Sequence, residues 1–66
     1  MYLDRNKIEI VVDDNIKIWG SNIIYKIVKF IPDSTGFVFV ELTRENYAGS
    51  WGKNRVVLIT DIIKVI

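Results

Sequence analysis

The 66-residue sequence contains no cysteine and no histidine, and only one proline, four glycines and one methionine. Without cysteine no disulfide can staple the fold. Without cysteine or histidine no ordinary zinc or copper site can be assembled. The same two absences remove the commonest general base and the best protein nucleophile, so an enzyme is not expected. A dominant charge is also lacking: nine basic and eight acidic residues leave +1 at pH 7, with a pI near 8.0. The signs are interleaved, and no block of like charge could serve as a polybasic anchor or a solvated tail. Long apolar runs are missing as well. The longest aliphatic stretch is Val56-Val57-Leu58-Ile59, against the ~20 residues of a membrane-crossing helix. Asp4 and Arg5 stand where the apolar core of a signal peptide would begin. A single soluble domain over residues 1–66 is expected, cytoplasmic, with no membrane, metal or cofactor among its partners.

What is present is branched at Cβ. Half of the residues are apolar, and twelve Ile plus eight Val dominate them, against three Leu and one Ala. Ile and Val lose rotamer freedom in a helix and pack well on a pleated sheet. The composition therefore predicts an all-β chain. A domain near this length buries only ~60% of its unfolded surface, so dense apolar packing or self-association must make up the stability.

A two-residue period runs through the segments. Residues 7–12 read as a strand with Ile8, Ile10 and Val12 on one face. Asp13-Asp14-Asn15 breaks it, and a short strand follows with Ile16 and Ile18 inward and Lys17 and Trp19 outward. Gly20-Ser21-Asn22 signals the next turn. Residues 22–31 form the longest run and are apolar on both parities, as in a strand either covered on both sides or bent by a bulge that switches its inward face, and in so small a chain the bend is expected. Pro32-Asp33-Ser34-Thr35-Gly36 predicts a hairpin loop. Residues 37–43 return with Val38, Val40 and Leu42 on one side and Phe37, Phe39 and Glu41 on the other. A polar connection over 44–54 leads to a strand over 55–60. Asp61-Ile62-Ile63-Lys64 then predicts one short helical turn before a closing strand at Val65-Ile66.

The tail from Val57 to Ile66 resembles the ending of Src-homology-3-like small barrels, a strand, one helical turn and a short closing strand. The upstream order is similar too: a short strand at Ile16–Trp19, a long bent one at Ile23–Ile31, a tight hairpin and a return at Phe37–Leu42. The resemblance covers residues 12–66 and leaves 1–11 as an additional N-terminal strand. It implies a five- to six-stranded antiparallel barrel. The chain lacks the Ala-Leu-Tyr-Asp-Tyr-like stretch and the Trp-Trp pair of the signalling members. It also lacks the lysine- and glycine-centred motif of the ribosomal and transcription-factor relatives. Neither proline-rich peptide binding nor their activities can be carried over, since a fold does not fix a function. Small β domains of this size are frequent in phages and mobile elements, where a protein of this kind is expected.

Apparent catalytic motifs fail on spacing. Asp33-Ser34-Thr35-Gly36 places its Gly one residue late for an aspartic-protease loop and reads as a turn. Gly49-Ser50-Trp51-Gly52-Lys53-Asn54 departs from the Walker spacing and puts Asn where Ser or Thr is needed. Asp13-Asp14-Asn15 offers too few oxygens for calcium. The contact-forming residues are more informative. If Val38, Val40 and Leu42 face the core, Phe37 and Phe39 stand outward beside each other, and a contiguous apolar patch on a monomer usually marks an interface; the alternative is that both parities pack inside a closed barrel. Tyr47 and Trp51 sit in the loop after Arg44, and Trp19 ends a short strand; such aromatics either cap the core or anchor a partner. A non-enzymatic module for protein contact, including self-association, is expected to use Phe37, Phe39, Tyr47, Trp51 and Trp19. The alternative is nucleic acid, with Lys26, Lys29, Arg44, Lys53 and Arg55 on phosphate and Trp51 stacking on bases.

Overall fold

The structure, a computed structural model, describes residues 1–44 and 54–66. The chain is an all-β domain of two antiparallel sheets. Its elements are β1 (Tyr2–Leu3), β2 (Glu9–Ile10), β3 (Asn15–Ile18), β4 (Ile24–Pro32), β5 (Val38–Arg44), β6 (Arg55–Leu58), a 3-10 turn η1 (Ile59–Asp61) and β7 (Ile62–Lys64). The larger sheet has the order β6-β5-β4-β3-β7, and β1 pairs with β2 in a separate two-stranded sheet.

β4 shows why residues 24–32 are apolar on both parities. Ile27 pairs with Leu42 and Lys29 with Glu41, so Val28 is an extra residue inserted into the ladder. Before this bulge Tyr25 and Ile27 are buried, and after it Phe30 packs against the core. The inward parity has switched, and the added local twist bends the strand around its own core. Ile10, Ile16, Val40, Leu42 and Ile62 complete the buried cluster. Every member except Tyr25 is aliphatic, and all but Leu42 of these aliphatics are branched at Cβ, as the composition predicts.

The N-terminal segment departs from the expected continuous strand. Asp4 Oδ1 accepts from the amides of Asn6 and Ile8, at 2.8 and 2.9 Å. The Asp4 amide donates to the Ile8 carbonyl, and the Lys7 amide to that of Asp4. This ties residues 4–8 into a turn with Lys7 at φ 66°, and such local side-chain bonding competes with sheet pairing. A second tight turn follows, in which Asp14 Oδ2 accepts from the Val11 amide at 2.9 Å and Asp13 takes φ 76°. Residues 1–11 are thus a short hairpin rather than a single strand. Ile10 is buried, but Val12 is exposed. Tyr2 stacks on Phe30 with ring centroids 4.2 Å apart, so the hairpin covers the core face of β4.

The C-terminal elements begin earlier than the sequence predicts. The helical turn is Ile59–Asp61, and Ile62–Lys64 is a strand rather than part of the turn. Ile62 is fully buried opposite Ile18, and Ile63 pairs with Lys17. Extending the turn through these residues would take Ile62 out of the core.

The expected closed barrel is not found among the described residues. The ladder ends at β6 on one side and β7 on the other. The outer edge of β7 is instead occupied by the N-terminal turn. The Arg5 amide donates to the Ile62 carbonyl at 2.9 Å, and Asp4 Oδ2 accepts from the Lys64 amide at 2.8 Å.

Candidate functional site

The outer face of the large sheet is built by alternation along β5. Val40 and Leu42 point into the core, so Phe39 and Glu41 point away from it. Register sets their neighbours: Phe39 lies between Ile31 of β4 and Leu58 of β6, and Glu41 between Lys29 and Val56. The first row is entirely apolar and half-buried. Phe37 extends it toward the hairpin at 60% exposure, and Val56 flanks it at 52%. The second row is charged at one end. Lys29 Nζ lies 3.8 Å from Glu41 Oε1, and Asn54 Nδ2 donates to Glu41 Oε2 at 2.8 Å.

The hairpin that carries Phe37 is defined by its own hydrogen bonds. The Asp33 amide donates to the Phe37 carbonyl at 2.8 Å, and the Gly36 amide to the Asp33 carbonyl at 3.2 Å. Gly36 takes φ 95°, which an L side chain would strain against. The Thr35 hydroxyl donates to Asp33 Oδ2 at 2.6 Å, with a longer contact from Ser34 to Oδ1. These bonds, Thr35's foremost, hold the Asp33 carboxyl below the usual aspartate range. The carboxylate organises the turn, as the sequence suggests.

Trp19 is brought to a different place. It follows β3, beside the start of β4, whereas Phe37 lies past the other end of that nine-residue strand. Trp19 is 60% exposed as a residue, with the Arg5 guanidinium 4.2 Å from its ring centroid. The Arg5 side chain also donates to the Thr60 carbonyl at 3.3 Å, so the cation is held from two sides. Tyr47, Trp51 and Lys53 lie outside the described residues. The remaining cations do not share one face by register. Lys26, opposite Thr43, and Lys29 belong to the outer face. Arg44 shares the parity of Val40 and Leu42, and Arg55 is paired with Leu42.

Asp4 is the residue that sequence reasoning passed over. It is the one buried charged side chain among the described residues, at 4% exposure, and its carboxylate accepts all three backbone bonds named above. The available signal was its place at the head of Asp4-Arg5-Asn6-Lys7, a polar run suited to a side-chain-bonded turn. Ile31 and Leu58 were missed for another reason, since only cross-strand register places them beside Phe39. Among the described residues there is no pocket, and no three Asp or Glu side chains come together as a metal site. Comparison with protein-family models, with curated proteins and with solved structures finds no match to this chain.

Proposed function

We propose that this protein is a non-enzymatic assembly module that makes protein–protein contact, including contact with its own copies, through the outer face of its large sheet. The scaffold we infer is Src-homology-3-like. Its support is the strand order β6-β5-β4-β3-β7, the bulge that bends β4, and a single 3-10 turn between β6 and β7. The observation that carries the functional reading is the apolar row Ile31–Phe39–Leu58 with Phe37 and Val56 exposed at its margin. Phe37 alone has on the order of 100 Å² to give up, worth about 2.5 kcal/mol at ~25 cal/mol per Å². A short chain with a small core gains from burying such a row on a partner.

Light scattering and solubility across the micromolar range test this reading, with wild type compared against a Phe37→Ser, Phe39→Ser double variant. The expected result is a concentration-dependent mass for wild type and a more soluble monomer for the variant. A strictly monomeric wild type whose variant is equally soluble refutes it. The nucleic-acid alternative has less support, because register divides Lys26 and Lys29 from Arg44 and Arg55 and Glu41 pairs with Lys29.

A further inference from the structure

The two borders of the large sheet are treated differently. The amide of Lys64 and the carbonyl of Ile62, which point away from β3, are both bonded by the N-terminal turn. At the other border no strand among the described residues pairs with the outer side of β6. Which β6 groups point outward follows from the hairpin. Asp33 and Phe37 are a hydrogen-bonded pair, and antiparallel pairs alternate between bonded and non-bonded. Ile31 and Phe39 are then the next bonded pair, so the Phe39 backbone faces β4 and that of Val40 faces β6. Val40 is opposite Val57, which directs the Val57 backbone to β5. The amides of Val56 and Leu58 and the Val56 carbonyl therefore point outward, and the Leu58 carbonyl, which caps η1 and opens the 3-10 turn, keeps a second lone pair on that side.

Among the described residues this edge has only two modest protections, its four-residue length and Arg55. The strand is Arg-Val-Val-Leu, with no lysine, proline or bulge in it. We propose that it is the self-association edge, on which a second copy adds its own β6 antiparallel about a two-fold axis through Val57. The proposal rests on the assembly reading above and deepens it by naming the contact and the partner. In this register Val56 exchanges both backbone bonds with the partner's Leu58, and the symmetry repeats the exchange. Both residues belong to the outer parity, so each sheet continues into the other without turning over its core face. The row Ile31–Phe39–Leu58 is prolonged by the partner's Val56, which covers a side chain now 52% exposed. Charge also fits a second copy: Arg55, the only charged residue of β6, falls opposite the partner's Ile59 and meets no like charge. A standard interface takes ~800 Å² from each partner, about a sixth of the 4681 Å² surface. One four-residue edge with a single flanking row takes less, so the dimer is weak and forms with rising concentration.

The test joins amide hydrogen exchange of the full chain with sedimentation across the micromolar to millimolar range. Wild type is expected to dimerise, with protection rising most at the Val56 and Leu58 amides and little at Val57, whose amide is already bonded. A Val56→Pro variant removes an outward N–H and leaves the β5 ladder intact, and is expected to weaken dimerisation at least ~tenfold. Val56→Thr, which keeps that amide, should still dimerise. The exchange pattern of wild type decides the matter even if the proline variant fails to fold. A dimer without added protection at Val56 and Leu58, or one retained by a folded Val56→Pro, overturns the edge contact and leaves the assembly reading standing. A wild type monomeric throughout the range overturns both. Protection that appears only on adding an unrelated extended peptide overturns the second copy as occupant.

Discussion

Replacing Asp4 by alanine removes the tie between the N-terminal turn and β7. Three backbone amides, of Asn6, Ile8 and Lys64, lose an acceptor at 2.8–2.9 Å. A hydrogen bond to a charged group contributes ~1.5–3 kcal/mol, but contributions at one carboxylate are not additive, and opened amides regain water. A loss of about 3 kcal/mol is the expected sum. A chain of this length has a total stability of roughly 3–10 kcal/mol, so the variant should lose at least about a third of it. Its melting temperature should fall by roughly 15 °C. Urea unfolding followed by far-ultraviolet dichroism gives the free energy, and Asp4→Asn serves as the companion. The asparagine keeps one oxygen for Asn6 and Ile8 but turns an amide NH₂ toward the Lys64 N–H, so its loss should be smaller. An Asp4→Ala loss below about 1 kcal/mol refutes the view that this carboxylate holds the β7 edge.

The remaining predictions concern the hairpins. Tyr2→Ala removes the ring stacked on Phe30 and should cost about 2 kcal/mol in urea unfolding, the ring being only partly buried. An unchanged midpoint would show that the stack contributes nothing. For Asp33, whose carboxyl is held below its usual range chiefly by the Thr35 hydroxyl, carbonyl-carbon NMR should find a midpoint lower than that of an ordinary aspartate. In Thr35→Val it should return toward the ordinary range. Because the folded-state value is the depressed one, the turn's stabilisation is present at neutral pH and is lost as pH falls through that value. An unshifted Asp33 in wild type removes this account.

Sheet residues were legible wherever burial alone chose the face. Ile16, Ile27, Val40 and Leu42 follow the two-residue period, and the double apolar parity of residues 22–31 allows either cover on both faces or a bend, of which the structure has the bulge at Val28. The hairpin after Pro32 was legible from Gly36. Residues 4–8 were not, because Ile8, Ile10 and Val12 fit a strand perfectly well. The competing signal was a single carboxylate whose partners include an amide sixty positions away. The helical turn was displaced because Asp61 looks like a cap, whereas the demand to bury Ile62 decides where the turn stops. For the candidate site, Phe37 and Phe39 follow from alternation. Ile31, Leu58 and Val56 join them only through register, which depends on the bulge and the turn type rather than on any local pattern.

The carboxylate link between Asp4 and Lys64 also bears on synthesis. A ribosome delivers residue 4 sixty residues before residue 64, so the nascent chain carries its N-terminal turn long before the strand it ties exists. Closing so long a loop is entropically costly and gives slow assembly. Until β7 clears the exit tunnel, Ile10 and Ile16 wait without Ile62 to cover them, and that interval is when a chaperone would have the most apolar surface to hold.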